Sequence, residues 1–216
     1  HGEPKEGIKH TIPALNVIEK YLGKPHKIKL TLEREVVELL INNKVIGICR
    51  GRMEFGPRAL CNTTTLALPY KRNVDYINYL NERNTVIPMA PVILYRNVAP
   101  LFDDKEMLDR VIGSNDYMIM THDFSKDAIG NEKYEGIMHM YPDRKRYSGR
   151  PQIVHSKNAK PIGKILSGVY SLALINTSFN THGTPILFSA KDCINDFQKQ
   201  CIKDKQQHNY LLILNA

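Results

Sequence analysis

The sequence predicts a mixed α/β fold, a twisted sheet with helices packed on it. Three observations carry this. Apolar runs of strand length ("KVIGIC", "MAPVILYRN", "LALIN", "YLLILNA") alternate with stretches of helical periodicity along the whole chain. That interleaving buries both kinds of element best when helices cover a sheet. Two apolar runs also open straight into polar turns, "GRMEFGPRAL" and "TSFNTHG", as binding loops in α/β proteins do. No internal repeat appears, and no break forces two domains.

The elements follow in order. Residues 1–20 are poor in pattern and read as a linker or the cut edge of another domain. "PALNVIEKYLG" fits a short helix ending at Gly23. Thr31 suits the cap of "LEREVVELLINN", where Leu32, Val36, Leu39 and Leu40 share a face. "KVIGIC" is a buried strand. Such a strand cannot keep ions in its middle, so Arg52, Glu54 and Arg58 lie at its end or beyond. Gly51 and Gly56 permit tight backbone or a close ligand, and Pro57 suits the first turn of a helix beginning near Arg58. "NTTTLALP" is extended. "NVDYINYLNERN" is a helix capped by Asn73 with Ile77 and Leu80 inward, followed by the strand "MAPVILYRN". "DKEMLDRVIG" is a short helix closed by Gly113, and "YMIMTHDF" a strand. "GIMHMYPDRKRYSGRPQIVHS" is a charged hairpin or long loop. "PIGKILSGVY" starts a helix with proline in its first turn. "LALIN" and "PILF" are strands around the turn "TSFNTHG". Ser189 and Asp192 form a capping box before "AKDCINDFQKQC", and "YLLILNA" is a final strand.

Composition narrows the function classes. With 42 % hydrophobic and 24 % charged residues the balance is that of a soluble domain, and no apolar segment is long enough to span a membrane. No secretory leader is visible. Cys49, Cys61, Cys193 and Cys201 form no CxxC pair, which predicts a reduced, cytoplasmic chain with Cys49 and Cys193 as small core residues. The first residue is His rather than Met, which predicts a fragment or a processed product. The net charge of +8 suits nucleic acid, nucleotides and phosphorylated metabolites alike.

Phosphate-binding fingerprints of the Walker and GxGxxG kinds are absent, so an anion site here would be built from arginines and loop amides. Arg52 and Arg58 flank Glu54. They form either an ion pair within the loop or an anion contact that Glu54 orients. In "INTSFNTHG", Asn176, Thr177, Ser178, Asn180 and His182 crowd one strand exit. They either cap their own backbone or cradle a carbonyl or phosphate. Arg150 and Gln152 open the strand "GRPQIV". Ser178 lacks the nucleophile elbow of hydrolases. His122, Asp123, His139 and His155 have no metal-ligand spacing, so no metal site is predicted. "DRKR", Asp143 to Arg146, lies beside Tyr141 and Tyr147 and is the one hint of nucleic acid. No known nucleic-acid-binding motif accompanies it. Arg52, Arg58 and Asn176 are expected to face one cleft, because strand ends in α/β sheets converge on shared crevices.

Four blocks in order resemble the O-carbamoyltransferases of the nodulation and antibiotic-tailoring type. They are "GRMEFGPRAL", "YLNERNTVIPMAPVIL", "GRPQIV" and "LINTSFNTHGTPILFSAKDCINDF", with "YLG" at Tyr21 to Gly23 suiting the domain's start. The resemblance covers residues 21–216 and corresponds to the C-terminal, YrdC-like domain of that family, with 1–20 trailing from a missing Kae1-like domain. It implies formation of a carbamoyl-adenylate from carbamoyl phosphate and ATP, with Mg2+ accompanying the ATP. The partner domain, which holds the family's catalytic metal, passes the carbamoyl group to a hydroxyl acceptor. Arg52 and Arg58 would be catalytic. Glu54, Arg150, Gln152, Asn176, Ser178 and Asn180 would bind substrate or nucleotide. A homodimer is compatible with this picture. The alternative is a non-catalytic basic module for RNA or another polyanion. Cys61, Thr63, Ile87, His182 and Thr184 depart from the family pattern. Cys61 stands where glycine is usual, and Thr63 and Ile87 where arginine is. His182 and Thr184 replace an arginine and a glutamate.

Overall fold

A computed structural model describes residues 28–29, 33–84, 88–103, 115–143, 145–155, 161–204 and 209–214, with 28–29 and 209–214 as backbone. Its centre is a seven-stranded mixed sheet. The strands are β1 (Ile28–Lys29), β2 (Val45–Arg50), β3 (Thr63–Ala67), β4 (Pro91–Leu94), β8 (Gln152–Val154), β9 (Ala173–Ser178) and β10 (Asn209–Leu214). Their order is β1-β10-β2-β3-β9-β4-β8. β10 runs parallel to β1 and β2, and β8 parallel to β4, whereas β3 and β9 pair antiparallel with their neighbours. A small antiparallel sheet places β7 (Tyr147–Gly149) between β5 (His122–Asp123) and β6 (His139–Met140).

Alternation along the strands sends side chains to two faces. On one, Ile46, Ile48, Leu66, Val92 and Leu174 meet Val36 and Leu40 of α1 (Glu33–Ile41) and Ile162, Ile165 and Leu166 of α3 (Pro161–Gly168). On the other, Val45, Ala67, Ile93 and Ile175 meet Val74 and Ile77 of α2 (Lys71–Leu80), with Phe102, Phe124, Tyr134 and Ile137 closing the core. A smaller cluster seats Cys193, Ile194 and Phe197 of α4 (Ala190–Lys203) on Cys49 and Phe179. Gly47 makes room for it, since a Cβ there would stand 3.1 Å from the Phe179 ring. The mixed sheet with packed helices agrees with the sequence, and so do buried Cys49 and Cys193. The Ser189–Asp192 capping box is present in both directions.

Several local expectations are corrected. No helix begins near Arg58, because residues 55–58 form bends whose geometry is fixed by Glu54 instead. α2 starts at Lys71 with Tyr70 as an N-cap that makes no side-chain bond. Asn73 lies inside the helix and donates to Asn43 and to the carbonyl of Leu68. "PILF" is not a strand: Leu187 packs on the α4 cluster and Phe188 is exposed. Only His122–Asp123 of "YMIMTHDF" pairs as a strand, after a 3-10 turn at Asn115–Tyr117. The charged segment after Gly136 is a hairpin, β6 to β7, which then sends β8 into the main sheet. The helices read at "PALNVIEKYLG" and "DKEMLDRVIG", and the features at Thr31, Leu32 and Ile87, lie outside the described residues.

Candidate functional site

Glu54 organises the site. Its buried carboxylate accepts backbone amides from Leu60 (2.8 Å), Asn62 (2.7 Å) and Thr63 (3.0 Å), which pins the loop after β2 onto the start of β3. The carboxylate is thus occupied by the loop's own amides, and neither Arg52 nor Arg58 pairs with it among the described residues. The loop then passes over a buried polar network. The Asn176 side chain donates to Gln152 Oε1 (2.7 Å) and to the carbonyl of Ala59 (3.0 Å), and its oxygen accepts from Thr64. Gln152 Oε1 also accepts from Cys61 Sγ at 3.2 Å. Cys61 holds φ at +72°, a conformation natural to glycine, at the position where the resembled family has glycine.

Above this network lies a cleft of about 260 Å³. Arg58, Asn78, Arg83, Arg150, Asn176, Thr177 and Ser178 form its polar lining, and Pro57, Pro88, Met89 and Met118 are among the apolar groups. No carboxylate belongs to that lining among the described residues. The three guanidinium groups come from three segments. Arg58 hangs from the loop before β3, Arg83 follows the C-terminus of α2, and Arg150 links β7 to β8. Burial and the like charge of Arg58 push the Arg150 guanidinium down from its ordinary range, and its buried Nε has no hydrogen-bond partner. Burial likewise pushes Arg83 down, against the pull of Asp196. Converging positive charge in a cleft whose described lining holds no carboxylate creates a positive potential that attracts anions.

Arg83 was missed by sequence reasoning, which placed it within the helix "NVDYINYLNERN" and gave it no role. Its Nη1 donates to Thr177 Oγ1 (2.8 Å). Its Nη2 donates to Ser178 Oγ (3.0 Å), Asn180 Oδ1 (2.9 Å) and the Ser178 carbonyl (3.1 Å). The available signal was its place three residues after Leu80, the last inward residue of α2, inside one of the four blocks of the resemblance.

Of the residues expected at the site, Arg58, Arg150, Asn176 and Ser178 line the cleft. Gln152, Asn180 and Glu54 stand behind it in supporting networks, and Arg52 is exposed and outside the lining. Within the basic hairpin, Arg146 bonds Asp143 at 3.0 Å, lies 3.8 Å from Asp123 and stacks on Tyr141. Arg144 lies outside the described residues. His155 pairs with Asp116 and stacks on Tyr95, while His122 meets Asn115. Among the described residues no group of three or more His, Cys, Asp or Glu could hold a metal, and no helix is long and apolar enough to cross a membrane.

Fold and cleft together define a helix-covered mixed-sheet domain with a cleft lined by three arginines. Residues 37–213 match the family model described as the carbamoyltransferase C-terminus, and the chain belongs to that family. It is 35 % identical over 195 residues to the uncharacterized protein MJ1051 of Methanocaldococcus jannaschii, covering 87 % of this chain and 35 % of the relative. It is 27 % identical over 177 residues to the 3'-hydroxymethylcephem-O-carbamoyltransferase of Amycolatopsis lactamdurans, covering 79 % and 31 %. The chain therefore spans about a third of the length of these curated relatives. Among solved structures, full-length HypF in its phosphate- and nucleotide-bound form superposes with a TM-score of 0.55 at 11 % identity. The match covers 77 % of this chain and 19 % of that one, a likeness of fold.

Proposed function

We propose that this chain is the carbamoyl-adenylate-forming part of an O-carbamoyltransferase. It takes carbamoyl phosphate and ATP, and a Kae1-like domain preceding residue 21 passes the carbamoyl group to a hydroxyl acceptor. In this reading residues 21–216 are a YrdC-like domain working in the cytoplasm. The observation that carries it is the convergence of Arg58, Arg83 and Arg150 on one cleft whose described lining holds no carboxylate. Family membership and an O-carbamoyltransferase among the relatives support the reaction class.

The chemistry follows from charge. Carbamoyl phosphate and a triphosphate repel each other, and guanidinium groups aimed into the cleft offset that repulsion and the charge that develops at phosphorus. Arg58 and Arg150 also repel one another, so an anion between them is favoured twice. Because the described lining offers cations and no acid, it suits phosphate oxygens and not a bare metal. Mg2+ would arrive on the nucleotide.

Titration of the full polypeptide with carbamoyl phosphate and with ATP tests this. Arg58→Ala should weaken binding of one or both by ~1.5–3 kcal/mol, as for a charged hydrogen bond, with the fold intact. Unfolding by R58A, with unchanged affinity in the remaining folded fraction, would instead make Arg58 a structural residue.

A further inference from the structure

We propose that Arg83 is a positioning residue: it turns the hydroxyls of Thr177 and Ser178 into a donor edge for an oxyanion in the cleft. The inference rests on the anion-binding reading above and goes one step further, to the residue that sets the hydroxyl protons.

A guanidinium has donors only, so every hydroxyl it meets must accept. Arg83 Nη1 lies 2.8 Å from Thr177 Oγ1, and Nη2 lies 3.0 Å from Ser178 Oγ. Each hydroxyl has one proton, and with a lone pair committed to Arg83 that proton points elsewhere. Neither hydroxyl donates to another group among the described residues, and both residues line the cleft. The same Nη2 meets the Ser178 carbonyl and Asn180 Oδ1, which fixes the guanidinium plane.

The mount is rigid as well. Arg83 N donates to the carbonyl of Asn78, and the neighbouring Asn81 is tied to α4 through Gln200 Nε2 at 2.8 Å. His182 N donates to the carbonyl of Asn81 at 2.7 Å, and Thr181 Oγ1 to Asp196 Oδ1 at 2.6 Å. The turn after β9 and the turn after α2 are thereby joined at Asn81, and each is tied to α4. An arginine with its donors so committed orders its neighbours, while Arg58 and Arg150 supply charge to the ligand.

A binding cycle in the full polypeptide tests this, with carbamoyl phosphate and inorganic phosphate as probes. The variants are Arg83→Gln, Arg83→Lys, the pair Thr177→Val with Ser178→Ala, and the triple combination with Arg83→Gln. We expect a 10- to 100-fold loss of affinity for R83Q and a similar loss for the hydroxyl pair. The triple variant should be no worse than R83Q alone. R83K, which restores charge and one donor, should recover part of the loss, which a purely structural role would not require. Should R83Q unfold, R83K and the hydroxyl pair still form a cycle. Fully additive losses would mean that Arg83 contacts the anion itself, and an R83 variant with wild-type affinity would remove its role. Both outcomes overturn the inference and leave the anion site standing. Absence of binding in the wild type would overturn the anion site and this inference together.

Discussion

Glu54 sits in a motif whose charges suggest a ligand contact, yet its carboxylate is spent on the amides of Leu60, Asn62 and Thr63. Sequence could not reveal this, because a carboxylate beside arginines predicts an ion pair and says nothing about orphan amides in a bent loop. Replacing Glu54 with Ala would leave those amides unmet, and urea unfolding should show a loss of about 2–4 kcal/mol. Cys61 gives a second residue-scale test. At φ +72° a side chain is strained, and glycine is not. Cys61→Gly and Cys61→Ala both lose the sulfur contact with Gln152, but only alanine keeps the strain. The glycine variant should be the more stable of the two by about 1 kcal/mol, read from paired denaturation curves. Equal stabilities would show that the positive dihedral costs nothing here. Asn176 and Ser178 were legible as a polar cluster at the end of β9. Their division of labour was not, since only the fold brings Gln152 and Thr64 to Asn176 and Arg83 to Ser178.

At the scale of elements, the long periodic segments were readable. β2, β4, β9 and the helices α1, α3 and α4 fall where apolar spacing and capping chemistry put them. The failures share a cause, which is tertiary override of a local pattern. "PILF" is apolar enough for a strand but is used to seat Leu187 on α4, and Asn73 serves the turn before α2 from inside the helix. Strand direction was the other illegible quantity. The cleft collects the end of β9 together with the approaches to β3, β4 and β8, because antiparallel pairing sets beginnings beside ends. That brings Arg150, before β8, into the site; the end of β2 lies at the same edge, beside the start of β3, but Arg52 beyond it is exposed and outside the lining. The 3-10 segment Glu132–Ile137 braces this edge: Gly136 N donates to the carbonyl of Pro69, and its own carbonyl accepts from Met89, a cleft residue. A Cβ on Gly136 would stand 2.8 Å from the carbonyl oxygens of Pro69 and Tyr70, which are backbone and cannot swing aside. Gly136→Ala should therefore cost about 1–3 kcal/mol by thermal or urea unfolding. A neutral result would mean that the Pro69–Tyr70 turn yields easily.

The whole molecule joins a strongly basic chain to a confined cleft lined by three arginines. The net charge of +8 alone is compatible with a polyanion partner, but Arg146 of the basic hairpin is bonded to Asp143 and stacked on Tyr141. Arg58, Arg83 and Arg150 instead share one cleft, and that cleft has the dimensions of a small ligand rather than of an extended strand of nucleic acid. The departures at Thr63, His182 and Thr184 fit this division. Thr63 is buried on β3 with its amide on Glu54, and His182 and Thr184 belong to the turn held by Asn81 and Thr181, so none of the three is in the described lining of the cleft. The most direct test of the central claim is exchange of labelled pyrophosphate into ATP by the full polypeptide, with and without carbamoyl phosphate. The proposed function predicts exchange only when carbamoyl phosphate is present. Combining Arg58→Ala with Arg150→Ala should reduce that exchange by about 100-fold or more while the protein stays folded. The claim would be contradicted by a wild-type protein that binds ATP yet shows no exchange with carbamoyl phosphate, or by a double variant that exchanges at the wild-type rate.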